Sequence, residues 1–309
     1  MNSFRNFLHT LRHYKTASLL NLLGLSVAFA AFTILIAQVR FDLTFNRQNP
    51  DCEAIHLISL PIFFQDEGDL TSDIPRPTGE KLISCSPSIK EGGCIHGLWG
   101  DYGALYDQEQ GPSSIVNYQA CYRISQGSLD LFGFQCVAGS FDRFNEPDKI
   151  ILSEKTAKAV YGNLDPIGRS LVVNRDAEHP CEVIAVYKDF PQNTSLSNGA
   201  VTNLGKYFLN VRGEWNFHYF VKLDSPKNAE KVRQAMIAEL KTLRSDIKPD
   251  ILEKIELIPF PDIYFSHKVS SFGTSHGNAA MTYSLLTVAI LILLIAMINF
   301  VNLDRKSVV

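Results

Sequence analysis

Two long runs without a charged side chain constrain this chain more than any other feature. No Asp, Glu, Lys or Arg occurs from Thr16 to Val39, and none occurs from Val269 to Leu303. Within these runs, Ala17–Val39 and Met281–Leu303 are each 23 residues of mostly apolar sequence. A helix of that length spans roughly 34 Å, which matches a hydrocarbon core of about 30 Å. We therefore predict transmembrane helices over residues 17–39 and 281–303.

The first apolar run also resembles two other kinds of segment. A signal peptide would use the basic N-terminus and a cleavage site at Ala28-Phe29-Ala30, but the apolar sequence continues for nine residues beyond Ala30. A core helix of a soluble protein would need other protein packed around its whole circumference. We therefore expect a membrane span rather than either alternative.

Basic residues before the first run predict its orientation. Arg5, Arg12 and Lys15 precede it without an acidic residue among them. Because basic residues are retained on the cytoplasmic side, the N-terminus is predicted to be cytoplasmic. Two crossings then leave residues 40–280 outside the membrane.

Residues 1–16 are predicted to form a basic amphipathic helix on the cytoplasmic side. Apolar side chains recur there at helical spacing and basic ones fall on another face, which is typical of a helix that lies on an anionic membrane surface. The apolar positions are Phe4, Phe7, Leu8 and Leu11.

The outer region alternates between short β-branched or aromatic runs and helical patterns, which predicts a mixed α+β domain. The predicted strands are Ala54–Leu60, Ser114–Ile124, Lys149–Leu152, Ser170–Asn174, Cys181–Lys188, Asn216–Leu223 and Lys254–Pro259. The predicted helices are Thr78–Ser84, Ser153–Tyr161 and Lys227–Leu243. Glycine and serine predict loops over Gly92–Gly103 and Ser266–Asn278.

The last of these helices carries a mostly apolar stripe at helical spacing, which predicts packing against the core. The stripe consists of Val232, Ala235, Met236, Glu239, Leu240 and Leu243.

All six cysteines fall in the outer region, where disulfides persist if the compartment is oxidising. An even count permits three bridges in any of 15 pairings, and Cys85 with Cys94 would close the shortest loop. The alternative is that most are buried free thiols in a domain large enough to fold without them. The six are Cys52, Cys85, Cys94, Cys121, Cys136 and Cys181.

No sequence motif predicts catalysis or a cofactor. The chain has no Gly-x-Ser-x-Gly, no His-Glu-x-x-His, no Gly-x-x-x-x-Gly-Lys and no Cys-x-x-Cys, so we assign no catalytic, cofactor-binding or metal-ligating residue. His179, His218 and His267 are expected at surface or satisfied positions. A net charge of −3 gives no basic surface for nucleic acid. Any ATP-driven function would require a separate subunit.

The segment Ile150–Leu171, IILSEKTAKAVYGNLDPIGRSL, resembles a stretch of the MacB-like periplasmic core domain of FtsX-type ABC transporter permeases. Further segments that resemble this family, in the same order, are Phe45-Asn46-Arg47, Leu131–Phe134 with Gly139, Val183–Ser195, and Ile298–Leu303. The resemblance covers nearly the whole chain.

The resemblance implies an α+β extracytoplasmic domain with two subdomains, a porter-like one formed by the two ends of the region and a second one inserted between them. It also implies a non-catalytic permease in the bacterial inner membrane. The implied partners are a cytoplasmic ABC ATPase, a second permease copy or paralogue, membrane lipid and a periplasmic adaptor. ATP-driven motion would then reach the outer domain through the helices. The substrate stays open.

The resemblance divides the chain into a cytoplasmic helix (1–16), a first span (17–39), the core domain (40–280), a second span (281–303) and a short tail (304–309). Family members continue with further membrane helices, so we expect a truncated permease. The tail matches a translated reading frame of a common sequencing adapter, which predicts an artefact.

One alternative function fits the same layout. Two spans around an outer domain also describe a membrane sensor with a periplasmic ligand-binding domain. The match at Ile150–Leu171 favours the permease.

Overall fold

The computed structural model describes residues 15–62, 70–97, 102–206, 209–211, 213–245, 248–266 and 276–308. The chain forms two compact units: a helical unit, Met1–Thr44 with Gly277–Val309, and a folded unit, Phe45–His276. All but the last two residues of the predicted amphipathic helix lie outside the described residues, as do residues 267–275 of the predicted loop Ser266–Asn278.

The described α-helices and β-strands follow one another along the chain as α1 (Lys15–Leu43), β1 (Ile55–Pro61), β2 (Leu70–Thr71), α2 (Arg76–Leu82), β3 (Ile89–His96), β4 (Tyr102–Asp107), β5 (Val116–Ile124), α3 (Gly127–Phe132), β6 (Cys136–Gly139), β7 (Lys149–Ser153), α4 (Glu154–Tyr161), β8 (Ser170–Val173), β9 (Cys181–Tyr187), β10 (Gly199–Asn203), β11 (Phe217–Leu223), α5 (Ala229–Leu243), α6 (Pro249–Leu252), β12 (Glu256–Pro259) and α7 (Ala279–Val308).

The helical unit consists of two long apolar helices, α1 and α7. Leu22–Leu43 and Ala279–Asn299 are each long and apolar enough to cross a membrane. Only 6% of the most apolar stretch in the first and 17% in the second is buried. A core helix of a soluble protein would be mostly buried, so this exposure agrees with membrane helices.

The two ends of the folded unit build an antiparallel sheet in the order β12–β1–β11–β3. With α2 after β1 and α5 after β11, the elements follow the β-α-β-β-α-β pattern of a ferredoxin-like layer. Val232, Met236, Ile237 and Leu240 of α5 are buried against this sheet. The predicted apolar stripe therefore packs in the core, and the two-ended subdomain is confirmed.

The residues between β3 and β11 form the inserted subdomain, which contains a closed ring of six strands. The ring runs β4–β5–β10–β7–β9–β8 and returns to β4, with parallel pairs β5–β10 and β7–β9. Ala157, Val160 and Tyr161 of α4 complete its core with apolar side chains of the strands. Because a closed ring pairs both edges of each strand, it leaves few strand edges open to aggregation.

All seven predicted strands and three predicted helices are present, with ends shifted by no more than two residues. The predicted loop Gly92–Gly103 is wrong at both ends, because Gly92–His96 belong to β3 and Tyr102 and Gly103 to β4, while residues 98–101 lie outside the described residues. Gly92, Gly93 and Gly103 lie in these strands, where close packing and not a turn favours glycine. A Cβ on Gly93 would lie 2.8 Å from Oγ of Ser128 in α3, so only glycine lets strand and helix approach this closely.

Closure of the ring should depend on Gly199 at the start of β10. A Cβ on this residue would lie against the carbonyl oxygen of Ala120 on β5. We expect Gly199→Ala to lower the free energy of unfolding by about 1–3 kcal/mol, because backbone must shift to accept the methyl group. Denaturant unfolding of the purified chain in detergent measures this.

Gly213→Ala is the matched control, because a Cβ there meets no atom within 4 Å. Its effect should stay within about 0.5 kcal/mol. Equal stability of the two variants would contradict the close approach of β10 and β5.

Candidate functional site

The chain enters the folded unit through residues 45–49, which we call the junction segment. This segment directly follows α1 and contacts two distant parts of the folded unit: residues 192–195 between β9 and β10, and the 3-10 helix Phe260–Phe265 after β12. One part belongs to the inserted subdomain and the other to the two-ended subdomain. The junction segment is therefore tied to both.

Asn46 is the centre of this junction. Its side-chain Nδ2 donates to Oγ of Ser195 and to the carbonyl oxygen of Phe260, each at 3.0 Å. Its Oδ1 accepts from the backbone N–H of Ser195 at 2.6 Å and from the hydroxyl of Thr194 at 3.1 Å. An amide side chain offers two donor hydrogens and two acceptor sites, and all are used here.

The backbone of Asn46 explains why asparagine suits this position. Its φ is +60°, in the left-handed region, and its side chain is fully buried. Asparagine tolerates this conformation better than most residues, whereas glycine would tolerate it but make none of the side-chain bonds. The N–H of Asn46 also donates to the carbonyl oxygen of Asn193 at 2.9 Å.

The neighbours of Asn46 extend the contact in both directions. The ring of Phe45 stacks on Tyr264 with 3.9 Å between centroids and 12° between planes. Gln48 donates from Nε2 to the hydroxyl of Thr194 at 2.9 Å. Asn49 donates from Nδ2 to the carbonyl oxygen of Leu131 in α3 at 2.9 Å. A segment held at so many points behaves as part of the domain and not as a flexible linker.

Charged groups surround the junction on its exposed side. Arg47 and Glu53 form an exposed ion pair at 2.6 Å, which contributes little to stability in water. Burial, with the nearby charge of Glu53, raises the pKa of the Asp262 carboxyl. Burial lowers the pKa of His56, so its ring is held in the neutral form. Of these groups, Arg47 and Glu53 form the exposed, charged edge of the junction segment, whereas His56 is buried.

The motif Ile150–Leu171 has a structural role in the ring. Ser153 caps α4, with its Oγ accepting from the N–H of Thr156 at 3.1 Å. The guanidinium of Arg169 donates to Oδ2 of Asp107 from Nε at 3.0 Å and from Nη2 at 2.6 Å. The Asp107 side chain is completely buried, so this pair compensates a carboxylate that would otherwise be costly there. The pair ties the start of β8 to the end of β4.

The structure describes two of the three singled-out histidines. His179 is exposed beside Asp176, and His218 is buried with Nδ1 at 3.0 Å from Oγ of Ser72. His267 lies outside the described residues.

All six cysteines are free thiols in this structure, but most of them are not buried, so neither of the two alternatives above is met in full. Cys52 and Cys94 are buried, whereas Cys136 on β6 is exposed. Burial raises the pKa of the Cys85 thiol to about 11, with a smaller contribution from Glu239. Within the described ranges, no three His, Cys, Asp or Glu side chains are grouped closely enough to hold a metal ion.

The sequence did not single out Asn46 as the centre of a site. It entered the resemblance only as one residue of Phe45-Asn46-Arg47 at the membrane border. A single buried amide produces no periodic pattern, and its partners lie about 150 and 214 positions away along the chain. The available signal was the position of an asparagine just after the first apolar run. Asparagine tolerates the left-handed conformation better than the residues on either side of it.

Comparison with known proteins identifies the central part of the folded unit. Residues 92–239 match the family model of the MacB-like periplasmic core domain. This part of the chain is similar to the MacB-like periplasmic core domain. The matched residues contain the whole six-stranded ring of the core domain and most of α5.

Solved structures with a similar fold come from permeases and ABC-type transporters. A domain assigned to a permease protein from Porphyromonas gingivalis aligns with a TM-score of 0.55 at 15% identity, covering 68% of this chain and 92% of that one. The periplasmic region of MacB from Actinobacillus actinomycetemcomitans aligns with a TM-score of 0.48 at 16% identity, covering 68% and 89%.

The extracellular domain of the noncanonic ABC-type transporter YknZ from Gram-positive bacteria also aligns, with a TM-score of 0.48 at 14% identity, covering 66% of this chain and 99% of that one. At these identities the first structure supports the fold of the core domain. No curated protein matches the chain by sequence.

Replacement of Asn46 should destabilise the folded unit. Asn46→Ala removes four side-chain hydrogen bonds. It also leaves alanine at a positive φ, which alanine tolerates less well than asparagine. We therefore expect the free energy of unfolding to fall by about 3 kcal/mol. Asn46→Gly should lower the free energy of unfolding by less, because glycine adopts a positive φ without strain, although the side-chain hydrogen bonds are still lost. Denaturant unfolding of the purified chain in detergent measures both.

The exposed Asn163 provides a matched control. Asn163→Ala should change the free energy of unfolding by less than about 0.5 kcal/mol. If Asn46→Ala changed the free energy of unfolding as little as this control does, the hydrogen bonds of Asn46 would not stabilise the folded unit.

Proposed function

We propose that this chain acts in the permease subunit of an ABC transporter of the MacB/FtsX type. The observation that carries the proposal is the MacB-like core domain, residues 92–239, between two apolar helices that are long enough to cross a membrane. The permease itself would be non-catalytic, and a separate cytoplasmic ABC ATPase would hydrolyse ATP. Export or extraction of a substrate would follow from movement of the core domain.

The junction segment supports this coupling physically. In the proposed coupling, Phe45 and Asn46 would receive the motion first, because they begin the folded unit and their partners lie in both of its subdomains. Because Asn46 is buried and fully hydrogen-bonded, displacement of this segment displaces the backbone around it rather than stretching a loose linker. Movement of the helix would thus be delivered to the ring and to the two-ended sheet together.

The proposal includes a location and a set of partners. The chain lies in the bacterial inner membrane with spans at residues 17–39 and 281–303, a cytoplasmic N-terminus and residues 40–280 in the periplasm. Arg5, Arg12 and Lys15 before the first span support this orientation. A second permease copy or paralogue, membrane lipid and a periplasmic adaptor complete the assembly.

Co-expression of this chain with an ABC ATPase encoded by a neighbouring gene tests the function. We expect the two products to purify together and the permease to raise the ATPase rate. A neighbouring response regulator, with no ABC ATPase bound to the purified protein, would overturn the proposal in favour of the two-span sensor.

Asn46→Ala in the same complex tests the coupling route. We expect the ATPase subunit still to purify with the variant while substrate export falls, since the change lies between the helix and the domain and away from the ATPase. Export equal to wild type would show that the junction does not carry the motion. Asn163→Ala is the control that should export normally.

The exposed thiol of Cys136 tests the orientation. A membrane-impermeant maleimide added to spheroplasts should label the chain, and Cys136→Ser should remove most of that label, because Cys136 is exposed whereas the other five cysteines are buried or half-buried. Labelling of Cys136 only after the membrane is permeabilised would place the core domain in the cytoplasm and contradict the proposed topology.

A further inference from the structure

The two apolar helices pack along a regular seam. On α7 the buried residues Thr282, Ala289 and Ala296 are spaced by seven. On α1 the less exposed positions include Leu25, Ala28, Phe32, Leu35, Val39 and Asp42, at alternating steps of three and four. A repeat of 3.5 residues is the pattern of two helices in continuous left-handed packing.

One end of this seam is polar. Oδ2 of Asp42 accepts a hydrogen bond from the hydroxyl of Thr282 at 2.7 Å, and Oδ1 accepts from Nε2 of Gln38 at 2.9 Å. Asp42 is 7% exposed and Thr282 is 1% exposed. A carboxylate at such a position is costly in an apolar environment unless donors face it, and two donors do so here.

The contact joins the last turn of α1 to the first turn of α7, so the helices run antiparallel. Counting from it in opposite directions brings Leu35 level with Ala289, and Ala28 level with Ala296. A slip of seven residues would again place apolar side chains opposite one another along most of the seam. The same slip would bring Asp42 level with Ala289, which offers no side-chain donor.

The apolar part of the seam therefore discriminates poorly between registers, and the polar end discriminates strongly. A single polar residue in an otherwise apolar helix seam is a known way to specify register. The small residues Ala289 and Ala296 allow close approach but supply no directional bond.

We propose that Gln38, Asp42 and Thr282 form a polar latch that sets the register of the two helices where the chain leaves and rejoins the helical unit. The inference rests on the membrane-spanning part of the proposed function and on nothing else in it. The latch makes the pair move as one body, since sliding of α1 past α7 would strand the Asp42 carboxylate without its Thr282 donor.

Photo-crosslinking of the full chain in native membranes tests the register. Benzoylphenylalanine in place of Phe32 lies on the seam, level with Ile292 of α7. In the otherwise unchanged chain we expect crosslinks confined to one turn around Ile292. In the Asp42→Leu, Thr282→Val double variant, which replaces the latch with apolar side chains, crosslinks should spread over two or more turns.

An unchanged crosslink map in the double variant would overturn the proposal. Asp42→Asn and Thr282→Ser preserve an acceptor and a hydroxyl, so each should retain the one-turn map. Thr33→Val and Thr287→Val are matched controls, because each of these exposed hydroxyls donates only within its own helix. The acceptors are the carbonyl oxygens of Phe29, at 2.8 Å, and of Tyr283, at 2.9 Å. The control variants should also keep the map.

Thermal unfolding in detergent supplies an independent measurement. If Asp42 and Thr282 act as one unit, Asp42→Ala combined with Thr282→Ala should lower the Tm by no more than the larger single change. A decrease in Tm in the double variant equal to the sum of the two single decreases would overturn the proposed latch. Neither measurement depends on an ATPase, so loss of the latch and failure of the permease assignment give different results.

Discussion

The fully hydrogen-bonded amide of Asn46 determines how the first residues of the folded unit are held within that unit. Its four side-chain bonds connect a residue near the start of the chain with the turn before β10 and with the 3-10 helix after β12. Burial strengthens these bonds and makes each expensive to lose, because an unpaired amide in the interior has no water to replace its partner. The arrangement depends on both subdomains being folded, since Ser195 and Phe260 come from different ones.

The position of the inserted ring follows from the strand order of the two-ended sheet. A ferredoxin-like layer brings the first and last strands of the folded unit side by side as β1 and β12, so the chain begins and ends this unit within one sheet. The ring occupies the connection between β3 and β11 and remains paired to the layer through β3 and β5. Insertion at this point lets the core domain grow without separating its two ends.

Much of the fold could be predicted because the strands and helices have strong local patterns. Ser153 before α4 and Gly162 after it are ordinary cap residues, and Val232, Met236 and Leu240 repeat at helical spacing. The error at Gly92–Gly103 shows the limit of this reasoning. Glycine indicates a turn in local statistics, but Gly93 is needed for the contact of β3 with Ser128, which only the folded chain reveals.

The sequence by itself determined the two apolar helices and the α+β class, which depend on composition and periodicity, and it showed a resemblance to a permease family through the order of short motifs along the chain. Only the tertiary structure decided that β5 and β10 close a ring, that Asp107 is buried against Arg169, and that Asn46 and Asp42 centre two polar clusters. The physical reason is that these hydrogen bonds and this ion pair join residues from 62 to 240 positions apart, and a local pattern carries no information about such partners.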